Sequence, residues 1–414
     1  MIHQPPAGTR DLLPLEVAQK RWIADRLQQV FHRWGYQRII TSTLEWVDTL
    51  TAGGAIQPET VIQVEDTAEG RLGLRPELTA SIARTAVTRM AGCTYPQRLY
   101  YSANVFRRSS QAHHGRQVEF FQTGVELLYS GSSLADTEIL LLLADGLQHL
   151  GLEQWEIVLG EAGLTRSLLS VFPEAVQETV RYCLANLDRV GLENLDLSPE
   201  LRDRALLLFD LRGKPEDVLQ KVSTLNLNPQ ETQTVNNLKT LIDRLRNSHS
   251  NAFPLILDLS LIETIDYYTG IVFEVVSTRQ QQYRVLGKGG RYDHLLELYH
   301  PHGESAPGIG FALNIEELHS ELSSSEELPQ KPPSSHWLVI PTTPQAEIAA
   351  LHHAQTLRHS DHVVRVELEL EGRSPEDIRD YASLSHIEHL VWVDEQGNLD
   401  IERTQAEQNL SQDG

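Results

Sequence analysis

The sequence predicts an α+β protein whose main domain is organised around an antiparallel hairpin. Two apolar, aromatic-rich segments, 99–106 and 118–125, flank a polar, basic loop that begins at Arg107, and this strand–loop–strand pattern predicts a hairpin. Residues 165–250 are helical and charged and lack strand signals, which indicates a helical insertion. From residue 337 onward, strand patterns alternate with helix patterns, which indicates a small α/β domain.

Length, charge and cysteine content limit the possible functions. The chain has 414 residues, too many for one ordinary core, so we expect two or three domains. Its net charge is −22, from 57 acidic and 35 basic side chains, which disfavours non-specific binding to nucleic-acid phosphates. Two cysteines without metal-ligand spacing predict free thiols in a reducing compartment. Because the sequence shows no signal peptide and no apolar run of membrane-spanning length, we expect a cytoplasmic protein.

The first part of the chain predicts a long helix, short strands and two further helices. Residues 15–34 carry apolar side chains at helical spacing, and Gly35 is placed to end that helix. Strands are expected at 36–41, 60–64 and 71–74. Pro76 is expected in the first turn of the next helix. Ser133 is the expected N-cap of a helix at 134–150.

The later part of the chain predicts more strands and a domain boundary. Strands are expected at 154–159, 253–259, 270–276, 337–341, 363–370 and 390–394. Residues 287–293 and 305–322 are each expected to form a glycine-rich turn before a helix. Residues 323–336 have the composition of a linker. The predicted domains are therefore a core at 1–322, with the insertion at 165–250 inside it, and a small α/β domain at 337–414.

Four polar clusters lie beside the predicted strands. They are LRPELT at 74–79, the hairpin with Gln122 and Glu126, IDYYTGIVFE at 265–274, and GKGGRYD at 287–293. Gln122 and Glu126 lie four residues apart on one strand, so their side chains share a face. A carboxylate on an otherwise apolar strand needs a partner if that face is buried. The hairpin is therefore the strongest candidate for a binding site.

Each cluster also has a purely structural interpretation. Glu77 and Thr79 fit the first turn of a helix, and Arg107 alone fits a surface cation. The tyrosine pair of the third cluster fits an aromatic core, although a buried hydroxyl still needs a partner. The fourth cluster lacks the P-loop pattern. The 17 histidines form no HExxH motif, and no Ser-His-Asp or Cys-His set can be assembled, so we expect neither a metal site nor a cofactor.

Taken together and in order, these segments resemble the histidyl-tRNA synthetase family over about residues 5–322. Seven segments carry the resemblance: PAGTRDLLP, GYQRIITSTLE, LRPELT, the hairpin with GR and FxQxGxE, DYYTGIVFE, GGRYD and GFAL. One such match would be weak, whereas seven in the right order are highly specific. The resemblance implies a class II synthetase-like core, that is, an antiparallel sheet flanked by helices in a protein that is usually dimeric.

The resemblance also implies a pocket for histidine. By analogy with the family, the α-ammonium group would be received by Glu77, Thr79 and Gln122, and the carboxylate by Arg107. The imidazole would meet Glu126 and Tyr268, and the site would be lined by Tyr267, Arg291 and Tyr292. This set offers acceptors for the ammonium and imidazole N–H groups and a guanidinium for the carboxylate, which suits histidine chemically.

Three departures from the synthetase pattern affect ATP binding and adenylate chemistry. The chain has Glu263 where the synthetases carry an arginine that helps to activate the amino acid, and the acidic Glu317 where they carry an arginine that helps to hold ATP. Ser109 stands where the family has a glutamate, two residues after Arg107. Because adenylyl transfer depends on positioned cations, we expect these changes to abolish it.

A retained histidine pocket without nucleotide chemistry resembles the regulatory subunits of ATP phosphoribosyltransferase, which are catalytically silent paralogues of histidyl-tRNA synthetase. That resemblance implies a hetero-oligomer with a short-form catalytic subunit, and allosteric feedback by L-histidine on the first step of histidine biosynthesis. It also implies a self-dimer through the core. The domain at 337–414 would be a reduced anticodon-binding domain, and its sparse basic residues argue against RNA binding.

Two other functions stay open at this point. A divergent histidyl-tRNA synthetase would catalyse histidine-dependent exchange between pyrophosphate and ATP, although charge reversal at Glu263 and Glu317 disfavours it. A synthetase-like RNA-binding or sensor module would bind tRNA in a salt-sensitive way, although the net charge disfavours it.

Overall fold

Two units of the chain are distinguished in the computed structural model, which describes residues 4–54, 56–68, 70–108, 117–248, 253–261, 268–277, 283–323 and 325–404. The first unit consists of Met1–Leu12 and Gln19–Leu328, and the second of Leu13–Ala18 and Pro329–Gly414.

The first part of the chain, up to Leu322, contains twelve described α-helices and twelve described strands in irregular order. The helices are α1 (Pro14–Arg33), α2 (Val47–Thr51), α3 (Thr79–Thr88), α4 (Ser133–His149), α5 (Ala162–Leu169), α6 (Glu174–Ala185), α7 (Arg189–Asn194), α8 (Pro199–Phe209), α9 (Pro215–Val222), α10 (Pro229–Ser248), α11 (Leu295–Tyr299) and α12 (Ile315–Leu322). The strands are β1 (Gln37–Arg38), β2 (Leu44–Trp46), β3 (Ile62–Thr67), β4 (Gly70–Leu74), β5 (Gln97–Phe106), β6 (Glu119–Leu128), β7 (Trp155–Glu161), β8 (Arg212–Gly213), β9 (Leu255–Asp258), β10 (Ile271–Ser277), β11 (Arg284–Arg291) and β12 (Gly308–Asn314).

A large sheet forms the framework of the first unit. In the described part of the chain its strand order is β1-β5-β6-β12-β11-β10-β7-β9-β8. Only the pairs β1–β5 and β7–β9 are parallel, and the other neighbours are antiparallel. A smaller sheet has the order β2-β4-β3. The predicted fold class, an antiparallel sheet flanked by helices, is confirmed.

The hairpin predicted from the sequence is formed by β5 and β6, and its two faces have different roles. Tyr101 lies opposite Gly124, and Ala103 lies opposite Gln122. Because successive side chains of a strand point to opposite faces, Tyr100 packs into the larger hydrophobic core while Tyr101 belongs to a smaller cluster on the other side of the sheet. The polar face of β6, which carries Gln122 and Glu126, is therefore the face of Tyr101.

Helix α1 covers the opposite face of the hairpin. Its buried residues include Ile23, Leu27, Val30 and Phe31, spaced three or four apart as an amphipathic helix requires. The rings of Phe31 and Tyr100 lie with centroids 5.8 Å apart. After the helix, Gly35 adopts φ 81°, a conformation that glycine reaches without a Cβ penalty. The predicted helix and its end are confirmed.

The two predicted glycine-rich turns are wrong, because both segments are strands. Residues 287–293, expected to form a turn, lie largely in β11, and the segment expected to begin a second turn forms β12 before α12. The glycines serve close packing within the sheet. A Cβ on Gly289 would lie 2.4 Å from the Gly310 carbonyl oxygen and 2.6 Å from the Phe273 ring, so no larger residue fits without displacement. Glycine here marks close approach rather than a turn.

Several predicted boundaries shift by one to three residues. Pro76 lies outside the helix, because α3 begins at Thr79 with Leu78 as its N-cap. Ser132, rather than Ser133, caps α4 by accepting a hydrogen bond from the Ala135 N–H. The strand expected at 36–41 pairs only at β1, and β2 was not predicted.

Most of the segment 165–250, which the sequence predicts to be a helical insertion, forms the helices α5 to α10, interrupted by the two-residue strand β8. That strand pairs with β9 at the edge of the large sheet and was not predicted. Apolar residues of these helices, including Leu164, Val180 and Leu241, belong to the same hydrophobic cluster as the core face of the large sheet.

The second unit contains a separate small α/β sheet. Its elements are β13 (Trp337–Pro341), α13 (Glu347–Arg358), β14 (Val366–Leu368), α14 (Pro375–Leu384), β15 (His389–Val393) and β16 (Leu399–Arg403). The strand order is β14-β13-β15-β16, with only β16 antiparallel. The strand expected at 363–370 is reduced to β14, and β16 was not predicted. Two apolar clusters lie on the opposite faces of this sheet.

Candidate functional site

A buried carboxylate lies at the centre of the candidate site. The Glu126 side chain is 2% exposed. Its Oε1 accepts a hydrogen bond from Thr79 Oγ1 at 2.7 Å, and its Oε2 accepts one from the Tyr292 hydroxyl. The structure thus brings together three residues of the predicted pocket, contributed by β6, the start of α3 and the segment after β11. The buried carboxyl group thus has two hydrogen-bond donors, the hydroxyls of Thr79 and Tyr292.

The electrostatics of Glu126 are those of a group removed from water. Burial raises the pKa of the Glu126 carboxyl to about 8, against the opposing effect of the hydrogen bonds from Tyr292 and Thr79, and the nearby charge of Glu77 raises it further. Desolvation disfavours the charged form of a carboxyl group, whereas donated hydrogen bonds favour it. A proton donor on a ligand, or a positively charged ligand, would be attracted to this position.

Gln122 contributes an unused acceptor to the same face of β6. The residue is 8% exposed, and its Oε1 has no hydrogen-bond partner among the residues that the structure describes. Buried polar atoms are normally paired, and leaving one unpaired costs roughly 1–3 kcal/mol. An acceptor held in this way on the same face of β6 as Glu126 is suited to an N–H donor from a ligand.

Glu77 and Arg107 form the adjoining wall. Glu77 Oε1 accepts a hydrogen bond from the Ala80 N–H at 2.9 Å, which orients the carboxylate at the start of α3. Arg107 Nε donates to the Pro76 carbonyl oxygen at 2.7 Å, while part of the side chain stays exposed. The guanidinium is therefore anchored by one N–H and can offer its others. Glu77 and Arg107, both predicted for the pocket, therefore lie close together.

The remaining predicted residues divide into two groups. The Tyr268 ring lies against Gly290, where a Cβ would come within 2.7 Å of it, and burial raises the pKa of its hydroxyl. Arg291 is placed differently from the prediction: its Nε and Nη2 donate to Asp136 Oδ1 at 2.8 and 2.6 Å, and its Nη1 to the Ser130 carbonyl oxygen and to Asp293 Oδ1. Arg291 thus holds the chain around the site together rather than presenting free donors.

Three of the predicted positions, Tyr267, Ser109 and Glu263, lie outside the described residues. The second acidic departure, Glu317, does have a structural role, because Arg284 Nη1 donates to Glu317 Oε2 at 2.6 Å. The neighbouring Glu316 was not predicted to matter. It accepts hydrogen bonds from Lys20 Nζ at 3.1 Å and from the Phe121 N–H at 2.9 Å, and so ties α1, β6 and α12 together.

Tyr101 was also missed as a site residue. Its side chain is 1% exposed, and its hydroxyl lies over Gly124, between Gln122 and Glu126 on the facing strand. The alternation of β5 could have indicated this position, because residues opposite a polar face of the partner strand share that face.

Other parts of the described structure offer weaker candidates. An open groove of about 420 Å³ in the second unit is bordered by Arg379, Trp392 and Glu402. Its arginine is already bound to the Glu402 carboxylate at 2.7 and 2.9 Å, so it does not offer a free cation to phosphate. Within the described ranges, no three His, Cys, Asp or Glu side chains gather as a metal site would require. None of the described helices has the length and apolarity needed to cross a membrane.

The family model described as histidyl-tRNA synthetase matches residues 8–318. The curated relatives include two proteins named ATP phosphoribosyltransferase regulatory subunit. The one from Gloeothece citriformis is 63% identical and covers 98% of this chain and 100% of its own length. The one from a Picosynechococcus species is 60% identical and covers 97% of this chain and 100% of its own length.

Solved structures show the same fold. The structure of an ATP phosphoribosyltransferase regulatory subunit/histidyl-tRNA synthetase from Bacillus halodurans has a TM-score of 0.79 at 27% identity and covers 95% of this chain and 99% of its own. A histidyl-tRNA synthetase from a Nostoc species has a TM-score of 0.77 at 20% identity, covers 100% and 99% of the two chains, and supports the fold alone. With the full-length curated relatives, these findings show that the chain belongs to the ATP phosphoribosyltransferase regulatory subunit family, within the histidyl-tRNA synthetase-like proteins.

Proposed function

We propose that this chain is the histidine-sensing regulatory subunit of an ATP phosphoribosyltransferase complex. It binds L-histidine in the pocket around Glu126, and the bound amino acid alters the activity of a short-form catalytic subunit within a hetero-oligomer. Family membership supports the non-catalytic, regulatory role in histidine biosynthesis. The buried and unused acceptor of Gln122, four residues from the buried Glu126 on the same face of β6, is the observation that carries the ligand assignment.

The pocket has the polarity that histidine requires. The α-ammonium group is a donor of three hydrogen bonds, and the imidazole carries at least one N–H, while the α-carboxylate needs a cation. Gln122 and Glu77 supply acceptors at one end, Glu126 supplies a carboxylate at the other, and Arg107 offers a guanidinium beside them.

Glu317, Arg284 and Lys288 offer no free cation for adenylate formation. Glu317 takes the position of an expected arginine, and the nearby Arg284 is bound to it. Lys288 is paired with Glu274 at 2.6 Å on the neighbouring strands. A free ammonium or guanidinium for the triphosphate is not supplied by these described side chains, which supports a sensor rather than a synthetase.

Assembly and location complete the proposal. The chain forms a self-dimer through its synthetase-like core, and that dimer binds the catalytic subunit in the cytoplasm. Histidine shifts the partner's activity by a coupling free energy of about 1–3 kcal/mol, the usual range for allosteric coupling.

The test is calorimetric titration of the purified chain with L-histidine and then with ATP, using wild type and Glu126→Ala. We expect saturable histidine binding, no ATP binding, and at least about tenfold weaker histidine binding in the variant, because the buried carboxyl group that would pair with the imidazole is lost. Unchanged histidine affinity in Glu126→Ala would place the ligand elsewhere. ATP binding accompanied by pyrophosphate exchange would establish the synthetase alternative, and salt-sensitive tRNA binding the RNA-binding alternative.

A further inference from the structure

The Tyr101 side chain occupies the middle of the pocket floor. Tyr101 of β5 is paired directly with Gly124 of β6, and Gln122 and Glu126 flank Gly124 on the same face. A Cβ on Gly124 would lie 2.6 Å from the Tyr101 hydroxyl oxygen, so that oxygen stands directly over the glycine. Gly124 leaves the space that lets the ring extend between the two polar side chains.

The hydroxyl of Tyr101 is unused within the described structure. The residue is 1% exposed, and the oxygen has no hydrogen-bond partner among the described residues. Its neighbours behave differently: the Tyr100 hydroxyl is 2.8 Å from His32 Nε2, and the Tyr292 hydroxyl donates to Glu126. Because the residue is almost wholly removed from solvent while its hydroxyl has no described partner, the geometry is suited to a partner supplied by a ligand.

The hydroxyl of Thr79 is already used in this structure. Its hydrogen is donated to Glu126 Oε1, which fixes that carboxylate in place. The resemblance to the synthetases assigns Thr79 to the ammonium group, but the geometry gives it a second task at the imidazole end. One further acceptor for the ammonium group is then needed.

We propose that the Tyr101 hydroxyl oxygen is the third acceptor for the α-ammonium group of the bound amino acid. An ammonium group donates three hydrogen bonds, and Glu77 and Gln122 Oε1 receive the other two. Thr79 serves mainly to hold Glu126. This inference rests on the proposed histidine site and names a contact within it.

The electrostatic surroundings of the hydroxyl favour a cation. Burial raises the pKa of the Tyr101 hydroxyl well above its usual value, and the charges of Glu126 and Glu77 raise it further. The hydroxyl is therefore neutral at any physiological pH. A neutral oxygen near the Glu77 and Glu126 carboxyl groups accepts readily from a positively charged group, because negative charge on a nearby carboxylate attracts that group.

The test compares Tyr101→Phe with Tyr100→Phe, and L-histidine with 3-(imidazol-4-yl)propionate, which lacks the amino group. Tyr101→Phe removes only the hydroxyl, and Tyr100→Phe removes the same atom on the opposite face of the same strand. Binding of L-histidine is measured by calorimetry, binding of the propionate by ligand-observed NMR titration, and folding by the denaturation midpoint.

We expect Tyr101→Phe to weaken L-histidine binding about tenfold or more, as loss of a hydrogen bond to a charged group does. The propionate should bind wild type and Tyr101→Phe within about a factor of two of each other, because it has no ammonium group to lose. Tyr100→Phe should keep its affinity for L-histidine. The denaturation midpoint of Tyr101→Phe should not fall, because its hydroxyl has no described protein partner.

Equal histidine affinity in Tyr101→Phe and wild type would overturn the inference, and so would equal weakening of both ligands, which would indicate a contact other than the ammonium group. Failure of wild type itself to bind L-histidine would instead contradict the proposed function.

Discussion

At the scale of residues, Gln122 combines a cost to the folded state with a proposed role in binding. Its Oε1 is buried without a partner in the described structure, while the strand around it is paired on both sides. A purely structural residue at this position would be apolar, because a buried, unpaired acceptor destabilises the fold. Under the proposed function, a ligand donates to the amide oxygen.

Gln122→Leu is therefore expected to raise the free energy of unfolding by about 1 kcal/mol while it weakens L-histidine binding at least tenfold. Chemical denaturation and calorimetry measure the two effects. Gln97→Leu is the matched control, since Gln97 Oε1 is likewise buried without a described partner but lies at the other end of the hairpin. Gln97→Leu should leave histidine binding unchanged. A Gln122→Leu variant that binds histidine normally would remove Gln122 from the site.

The raised pKa of Glu126 makes stability depend on pH in a definite direction. In the unfolded chain the carboxyl group loses its proton near its ordinary pKa of 4.5, whereas in the folded protein it keeps the proton up to about pH 8. The folded state thus binds more protons between these values, so its stability falls as pH rises through this window.

Glu126→Gln should remove this dependence. The free energy of unfolding of wild type, measured relative to the variant by denaturation at a series of pH values, should fall from about pH 5 to about pH 8 and then level off. Parallel curves for the two proteins across this range would show that Glu126 titrates normally in the folded state.

At the scale of elements, glycines let the strands approach closely beneath the site. Gly310 lies opposite Glu126 in the pairing of β12 with β6. A Cβ there would come within 2.0 Å of Glu126 Oε2 and 2.3 Å of the Val125 carbonyl oxygen. Either the carboxylate or the strand would have to move, because neither distance is possible for a real Cβ.

Gly310→Ala is expected to lower the free energy of unfolding by roughly 1–3 kcal/mol, as overpacking does, and to weaken histidine binding by displacing Glu126. Gly131→Ala is the control, because its Cβ would meet only the Pro307 ring at 3.4 Å. That variant should change the free energy of unfolding by less than about 0.5 kcal/mol. Equal effects of the two substitutions would contradict the proposed role of Gly310.

Glu316 joins three elements that are distant in sequence. Its side chain is 12% exposed and that of Lys20 is 8% exposed, and the carboxylate also receives the Phe121 N–H. Glu317, one residue later, pairs with Arg284, but both side chains are about one third exposed. Buried ion pairs are costly to break by removing one partner, whereas exposed pairs contribute little.

Glu316→Ala should therefore lower the free energy of unfolding by about 3 kcal/mol, and Glu317→Ala by less than about 1 kcal/mol. Chemical denaturation of the two variants side by side measures the difference. A larger loss in Glu317→Ala than in Glu316→Ala would reverse this assignment of roles.

Elements set by local patterns could be predicted from the sequence, whereas those that depend on distant contacts could not. The hairpin, α1 and the helical insertion follow from local periodicity, which the residues themselves display. The sequence predicts turns where β11 and β12 lie, because glycine usually indicates turns. The close approach that leaves no room for a Cβ at Gly289 becomes visible only when the strand is paired with segments distant in sequence. Glu316 was missed because its contact with Lys20 spans 296 residues.

At the scale of the whole molecule, the pocket residues were predicted from the family resemblance rather than from local patterns. Glu77, Thr79, Arg107, Gln122, Glu126, Tyr268 and Tyr292 lie around one site in the structure. Arg291 instead donates to Asp136, a partner that no local sequence pattern predicts. Tyr101 requires the strand register, which the sequence does not specify by itself.

The central claim, that this chain regulates a phosphoribosyltransferase in response to histidine, concerns the assembled complex. The most direct measurement is the phosphoribosyltransferase activity of a short-form catalytic subunit, alone and with this chain, as L-histidine is titrated. We expect activity to depend on addition of the chain, L-histidine to inhibit it, and Gln122→Leu to shift the inhibition to at least about tenfold higher histidine concentration while basal activity is kept. A catalytic subunit that does not associate with this chain, or whose activity is the same with and without the chain and histidine, would contradict the account.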